Sequence, residues 1–231
     1  MASVSKTFPQ ELSRSGVAQV QLATGERSKL WLQLTASYIC LEAALWAPPG
    51  SEAISCMLLT LVTILLFAFD GRYSRNDMGL VIPSFHAIEW TLGLGFLMAV
   101  SLPLIASLAG LKASPTHALP LRTALQYSLW AFVQQFILQS FFYVRMETLL
   151  GSRRAVFATT ALFALAHLPN AILTVVTIVA GLFFCEMFRR YRNIFPLGAV
   201  HAALGLTAAA SFSDSLLHHM RVGIGYFLLH Q

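Results

Sequence analysis

The chain has 231 residues, of which 57% are hydrophobic and only 11% charged, with a formal net charge of +5. Soluble domains carry about 25% charged residues, so this composition and a mean hydropathy of +0.68 exclude a water-soluble globular protein and predict a multi-pass membrane protein. The basic surplus excludes a nucleic-acid role as well, because the cations lie between apolar runs rather than along one stripe.

Met1 to Ser28 is polar and Ser-rich, lacks the apolar stretch of a signal peptide, and is expected to form a cytoplasmic tail over residues 1–28. Apolar runs follow at about 30–47, 53–70, 84–110, 122–145, 155–169, 171–188 and 194–212. Each is near the ~20 residues that a membrane-spanning helix needs. The fold class predicted is therefore all-α, a polytopic membrane bundle of about seven helices. Residues 29–120 hold its N-terminal helices, and 121–212 a four-helix core. Residues 213–231 are interrupted by His218, His219 and Arg221 and are expected to lie in the interface.

Basic charge alternates along the loops. Arg27 and Lys29 precede the first run, Arg72 and Arg75 follow the second, and Arg145, Arg153 and Arg154 follow the fourth. Arg189, Arg190 and Arg192 follow the sixth, whereas Ala47–Glu52 and His167–Asn170 contain no Lys or Arg. The positive-inside rule then gives seven spans with a cytoplasmic N-terminus. The expected location is a bacterial inner (cytoplasmic) membrane, with its lipids as partners. Cys40, Cys56 and Cys185 sit inside apolar runs without a CxxC pair, which reads as inert buried thiols.

Polar side chains in hydrocarbon are costly, so each needs a reason. Gln134, Gln135 and Gln139 fall in the fourth run, His167 in the fifth and His201 in the seventh. At 1.5 Å per residue, Gln134 lies about 16 Å, His167 about 20 Å and His201 about 12 Å from the cytoplasmic ends of their helices. Three helices thus place polar groups in one layer. Such groups act either as interhelical hydrogen-bond pins or as proton donors and acceptors of a site in a dry cavity. A metal centre is not predicted, since two histidines lack a third ligand. No cofactor is expected. HExxH, GxSxG and GxGD patterns are absent, which removes zinc, serine and aspartyl intramembrane proteases.

Phe163-Ala-Leu-Ala-His167 matches an FxxxH motif, and Asn193-Ile-Phe-Pro-Leu-Gly-Ala-Val-His201 brings a Pro-led helix bearing a second His. Gln134-Gln135-Phe-Ile-Leu-Gln139 begins 33 residues before His167. These segments resemble the CAAX-protease and bacteriocin-processing (CPBP, Abi) family over residues 121–211, and Met78-Gly-Leu80 before the Gly-rich third run resembles the family's upstream elbow. The resemblance implies an intramembrane endopeptidase in which a Glu-Glu-xxx-Arg motif and two histidines activate water and an Asn of HxxxN holds the oxyanion. Here Gln134 stands at the general base, Gln135 at the second Glu, Gln139 at the Arg and Gly205 at the Asn. An amide oxygen accepts a hydrogen bond but does not take and keep a proton as a carboxylate does.

Two functions follow. One is hydrolysis of a membrane-embedded or lipid-modified peptide, with His167 and His201 orienting water, Gln134 positioning it, and another carboxylate as base. Glu42, about 18 Å into the first helix, is the one acidic residue expected at that depth, with pairing to a neighbouring helix as its alternative role. The other function is a catalytically inactive binding or assembly subunit whose polar layer holds a lipid, pigment or partner membrane protein. Glu89, Glu147 and Glu186 lie near cytoplasmic helix ends and are expected in interface ion pairs with Arg145 or Arg189.

Overall fold

The computed structural model describes residues 23–112 and 120–228. In chain order these form α1 (Thr24–Trp46), α2 (Ser51–Ala68), α3 (Phe85–Leu108), α4 (Leu121–Gln135), a π-helical segment (Phe136–Tyr143), α5 (Val144–Leu150), α6 (Ser152–Leu165), α7 (Ala171–Tyr191) and α8 (Phe195–Ser211). Two one-turn helices follow, α9 (Asp214–Leu217) and α10 (Ile224–Phe227), separated by a 3-10 turn at His218–Met220. The all-α membrane bundle predicted from composition is what the chain forms.

Helices α2, α3 and α7 are each long and apolar enough to cross a membrane. Their side chains explain why the molecule needs lipid. Leu58, Leu59, Val62, Leu66, Phe96, Leu97 and Val175 all point outward and are more than half exposed. In water such a surface would be an aggregation site; in a bilayer it is simply solvated. The α4–π–α5 stretch runs as one rod, and α8 is a shorter apolar helix of 17 residues.

Packing is pairwise. α1 lies on α2, α3 and α4 both lie on α8, and α6 lies on α7 and α5. The core where they meet is aromatic, with Phe141, Tyr143, Phe184 and Phe188 almost wholly buried. Tyr143 and Phe188 meet edge-on with ring centroids 5.4 Å apart, a geometry the ring quadrupoles favour.

The elbow before α3 is wedged into this core. Ser140 donates to the Met78 carbonyl at 2.6 Å, and the Ile194 amide donates to the Gly79 carbonyl at 3.2 Å. Asn193 donates to the Val81 carbonyl at 2.7 Å and accepts from the Phe195 amide at 3.1 Å. One asparagine therefore both starts α8 and ties it to the elbow, which sets the height at which α8 presents His201.

Several expectations from sequence are corrected. Helix α1 begins at Thr24, inside the segment taken as a polar tail; residues 1–22 lie outside the described residues. Residues 214–228 pack onto the end of the bundle, with the Gly223 amide bonded to the Leu168 carbonyl at 2.8 Å and Phe227 against Trp46. Arg145 is no loop charge. It is fully buried, donating to Gln33 Oε1 at 3.1 Å, to the Phe141 carbonyl at 3.4 Å and to the Phe67 carbonyl. Its guanidinium also stacks 4.1 Å from the Phe141 ring centre. A delocalised, weakly hydrated cation suits such a site. Gln33 in turn donates to Asp70 at 3.1 Å, so an amide relays charge between the arginine and a carboxylate. Glu147 pairs with Arg192, not Arg145, whereas Glu186 pairs with Arg189 and Arg190 as expected.

Candidate active site

The five polar residues expected in one layer lie on four neighbouring elements. Gln134 and Gln135 sit in the last turn of α4, Gln139 in the π segment, His201 on α8, and His167 in the turn that follows α6. His167 is thus at a helix end rather than mid-helix.

The FxxxH spacing has a local explanation. Four residues make one helical turn, so His167 Nδ1 meets the Phe163 carbonyl at 2.6 Å. A carbonyl only accepts, so Nδ1 carries the hydrogen. In the neutral ring Nε2 is then an acceptor. The Phe163 ring stands edge-on between the histidines, with its centroid 4.7 Å from His167 and 5.8 Å from His201. It therefore packs against both imidazoles.

Behind this aromatic spacer a chain of amides fixes the second histidine. Gln139 Nε2 donates to Gln135 Oε1 at 3.4 Å, and Gln135 Nε2 contacts His201 Nδ1 at 3.1 Å. With the Gln135 oxygen already turned toward Gln139, its nitrogen is the donor to His201. His201 Nδ1 accepts, and its Nε2 carries the hydrogen. The two rings therefore hold opposite tautomers, one with a free acceptor and one with a free donor. Gln139 Nε2 also lies 3.7 Å from Cys185 Sγ on α7, which extends the chain across the core. Gln135 and Gln139 are fully buried.

The π segment belongs to this arrangement. π turns are rare and often occur where a helix is bent to a purpose. Here the segment begins at the residue after Gln135 and carries Gln139 and Ser140. It sends one to the amide chain and the other to the elbow.

Gln134 takes a different direction. No hydrogen bond to its amide is found among the described residues, and together with His167 it lines a cavity of about 100 Å³. The remaining walls are apolar or aromatic, including Leu41, Trp130, Phe142 and Leu162, with Tyr38 at one side and Val222 at one end. Tyr38 donates to the Leu162 carbonyl at 3.2 Å, so its hydroxyl is already used. The cavity thus offers one imidazole acceptor and one free amide within apolar walls.

Neither histidine has a carboxylate. Among the described residues, no Asp or Glu oxygen comes within 4.0 Å of a ring nitrogen of His167 or His201. Glu42 accepts from Trp46 Nε1 at 3.3 Å, one turn further along its own helix, and does not line the cavity. No group of three His, Cys, Asp or Glu side chains converges among the described residues. Gly205, one turn beyond His201, is covered by Tyr127. A Cβ at Gly205 would lie 1.8 Å from the Tyr127 hydroxyl oxygen. The space that an Asn side chain would need is filled by a phenol from α4.

Sequence reasoning missed Tyr38, Tyr127 and Val222. An aromatic or aliphatic residue within an apolar run gives no signal of which way it faces. Arg145 was visible but read as a loop charge, since a lone Arg at the end of a run is the usual topology marker.

Residues 116–207 match the family described as type II CAAX prenyl endopeptidase Rce1-like. No curated protein matches the chain. The match and the apolar helices together make this an integral membrane protein. Gln134, Gln135, Gln139, His167 and His201 all lie within residues 116–207, so the candidate site falls in the stretch of this helical membrane protein that is similar to the Rce1-like family.

Proposed function

We propose that this protein binds a membrane-embedded or lipid-modified peptide in the cavity between α1, α4 and α6 without hydrolysing it. The observation that carries the reading is the absence, among the described residues, of any carboxylate within 4.0 Å of His167 or His201. General-base activation of water needs a group that accepts a proton and holds it through the transition state. Gln134, at the position where the family resemblance puts that group, has an amide. The amide and His167 Nε2 suit a peptide unit instead: the peptide N–H can donate to the imidazole, and its carbonyl can accept from the Gln134 amide. In apolar walls such bonds are stronger than in water.

The accompanying orientation is a cytoplasmic N-terminus in a bacterial inner membrane, supported by the alternation of basic loops. Arg145 no longer counts toward that alternation, but Arg153 and Arg154 remain exposed in the first turn of α6.

One observation favours a second reading. The bond from His167 Nδ1 to Phe163 leaves Nε2 as the acceptor of a neutral ring that lines the cavity, which would let His167 act alone in slow hydrolysis. Purified protein in nanodiscs, incubated with a library of transmembrane and prenylated peptides, separates the two. Binding without turnover, and turnover that appears on Gln134→Glu, are the results expected. Cleavage by the unaltered protein that His167→Ala abolishes would overturn the proposal and establish the second reading.

A further inference from the structure

Helix α6 has only 14 residues, or about 21 Å at 1.5 Å per residue, against a hydrocarbon core of about 30 Å. Its end, with Ala166 and His167, is therefore recessed from the non-cytoplasmic surface expected of the bundle. The segment after α8 fills the recess. Val222 reaches the cavity beside Leu45, Ala166 and His167.

The seat of this segment is built. Asn170, 1% exposed, donates through Nδ2 to the Leu217 carbonyl at 2.8 Å and to the Arg221 carbonyl at 3.3 Å. The Gly223 amide donates to the Leu168 carbonyl at 2.8 Å. Phe227 packs on Trp46 with centroids 6.2 Å apart. Gly223 is required where it stands: its φ is +55°, and a Cβ there would lie 2.1 Å from the Leu45 carbonyl oxygen. Between the two seated carbonyls, those of Leu217 and Arg221, His218, His219 and Met220 all adopt left-handed backbone, at φ 49°, 53° and 56°. L-residues rarely do so, and a run of three is maintained only while surrounding contacts hold it.

We propose that residues 214–228 form a strap that closes the non-cytoplasmic mouth of the cavity, hinged at His218–Met220 and latched by Asn170 and Gly223. Closed, it leaves a ligand to reach His167 and Gln134 sideways from the bilayer. Opened, it admits aqueous reagents to the same groups. The purpose rests on the reading of the cavity as a ligand site, but the closure does not, and its test uses no ligand.

The experiment places Cys at Ala166 in the full chain, with Cys40 and Cys56 changed to Ser, and follows labelling in nanodiscs by a charged maleimide. Gly223→Ala removes the seat. Asn170→Asp keeps the oxygen that accepts from the Leu173 amide at 3.1 Å, so the start of α7 is preserved while both latch donors are lost. The expected result is slow labelling with the strap intact and at least a tenfold faster rate in either variant. An Ala166→Cys rate that neither variant changes, whether fast or slow, would overturn the proposal. Should Gly223→Ala fail to fold, Asn170→Asp decides alone. Failure here would leave the peptide-binding reading standing, and the cleavage assay tests that separately.

Discussion

Gly205 gives the sharpest test of how α4 and α8 are joined. In Gly205→Ala the new Cβ would sit 1.8 Å from the Tyr127 oxygen, 2.3 Å from Cζ and 2.5 Å from Cε1. Carbon atoms in ordinary contact are about 3.5–4.0 Å apart, so ring and helix must separate by about 1–2 Å. The helices cannot yield freely. Phe132 lies against Gly198 two turns away, where a Cβ would meet its ring at 2.3 Å, and Gln135 is bonded to His201. Overpacking of this kind costs about 1–3 kcal/mol, and the expected value is near the top of that range. With Tyr127→Ala present, the three atoms nearest the added methyl are gone and Gly205→Ala should cost only a few tenths, giving a coupling of about 2 kcal/mol across the pair. Unfolding of the four proteins of this cycle in mixed SDS micelles measures it. Additivity within about 0.5 kcal/mol, the usual limit for independent sites, would refute the reasoning. The same cycle predicts that the asparagine implied by the family resemblance cannot be restored at position 205 unless Tyr127 is reduced as well.

Two further outcomes are expected. Arg145→Met strips three acceptors on α1, α2 and the π segment of a charged donor, at a cost on the order of 3 kcal/mol; Arg145→Lys should recover less than half of it, because one ammonium cannot span all three. An unchanged unfolding midpoint for the Met variant would show that the guanidinium is not holding these elements together. Where α1 begins, a hydrogen bond from Arg72 and its charge hold the Glu26 carboxyl below its ordinary value of 4.5. The stabilisation is then complete above that value and is lost as pH falls through the lower folded one. Glu26→Gln should flatten the pH dependence of the unfolding midpoint below about 4.5; an identical acid limb in both proteins would rule the pair out as its source.

Much of this was legible because hydrophobic length and motif spacing are one-dimensional properties. The helical membrane class followed from the apolar runs, but of the seven spans expected only α2, α3 and α7 among the described residues are long and apolar enough to cross a bilayer. The interval between Gln134 and His167 placed them in one neighbourhood, which the cavity now shows as a shared wall. What escaped were properties of facing and depth. Gln134 and Gln135 are adjacent in sequence yet diverge by about 100° around a helix, one toward the cavity and the other to His201. Arg145 looks like a boundary marker until Gln33, Phe67 and Phe141 are found around it. The strap could not be read because 213–231 is too polar to span and its sequence carries no sign of the groups that it seats against. Its conformation is dictated by a recess that exists only once α6 has folded.

The buried arginine also says where this domain begins and ends. The recognisable stretch, residues 116–207, contains Arg145, yet Gln33, Phe67 and Tyr73 around its guanidinium all lie upstream. Tyr38, Leu41 and Leu45 of the cavity wall lie upstream too, and Val222 lies downstream. A chain trimmed to the matched stretch would keep the glutamines and histidines of the site but lose the elbow and two of the three acceptors that hold the cation at its centre. The smallest piece that folds is therefore larger than the piece that is recognised, and its limits are set by one guanidinium rather than by the motifs.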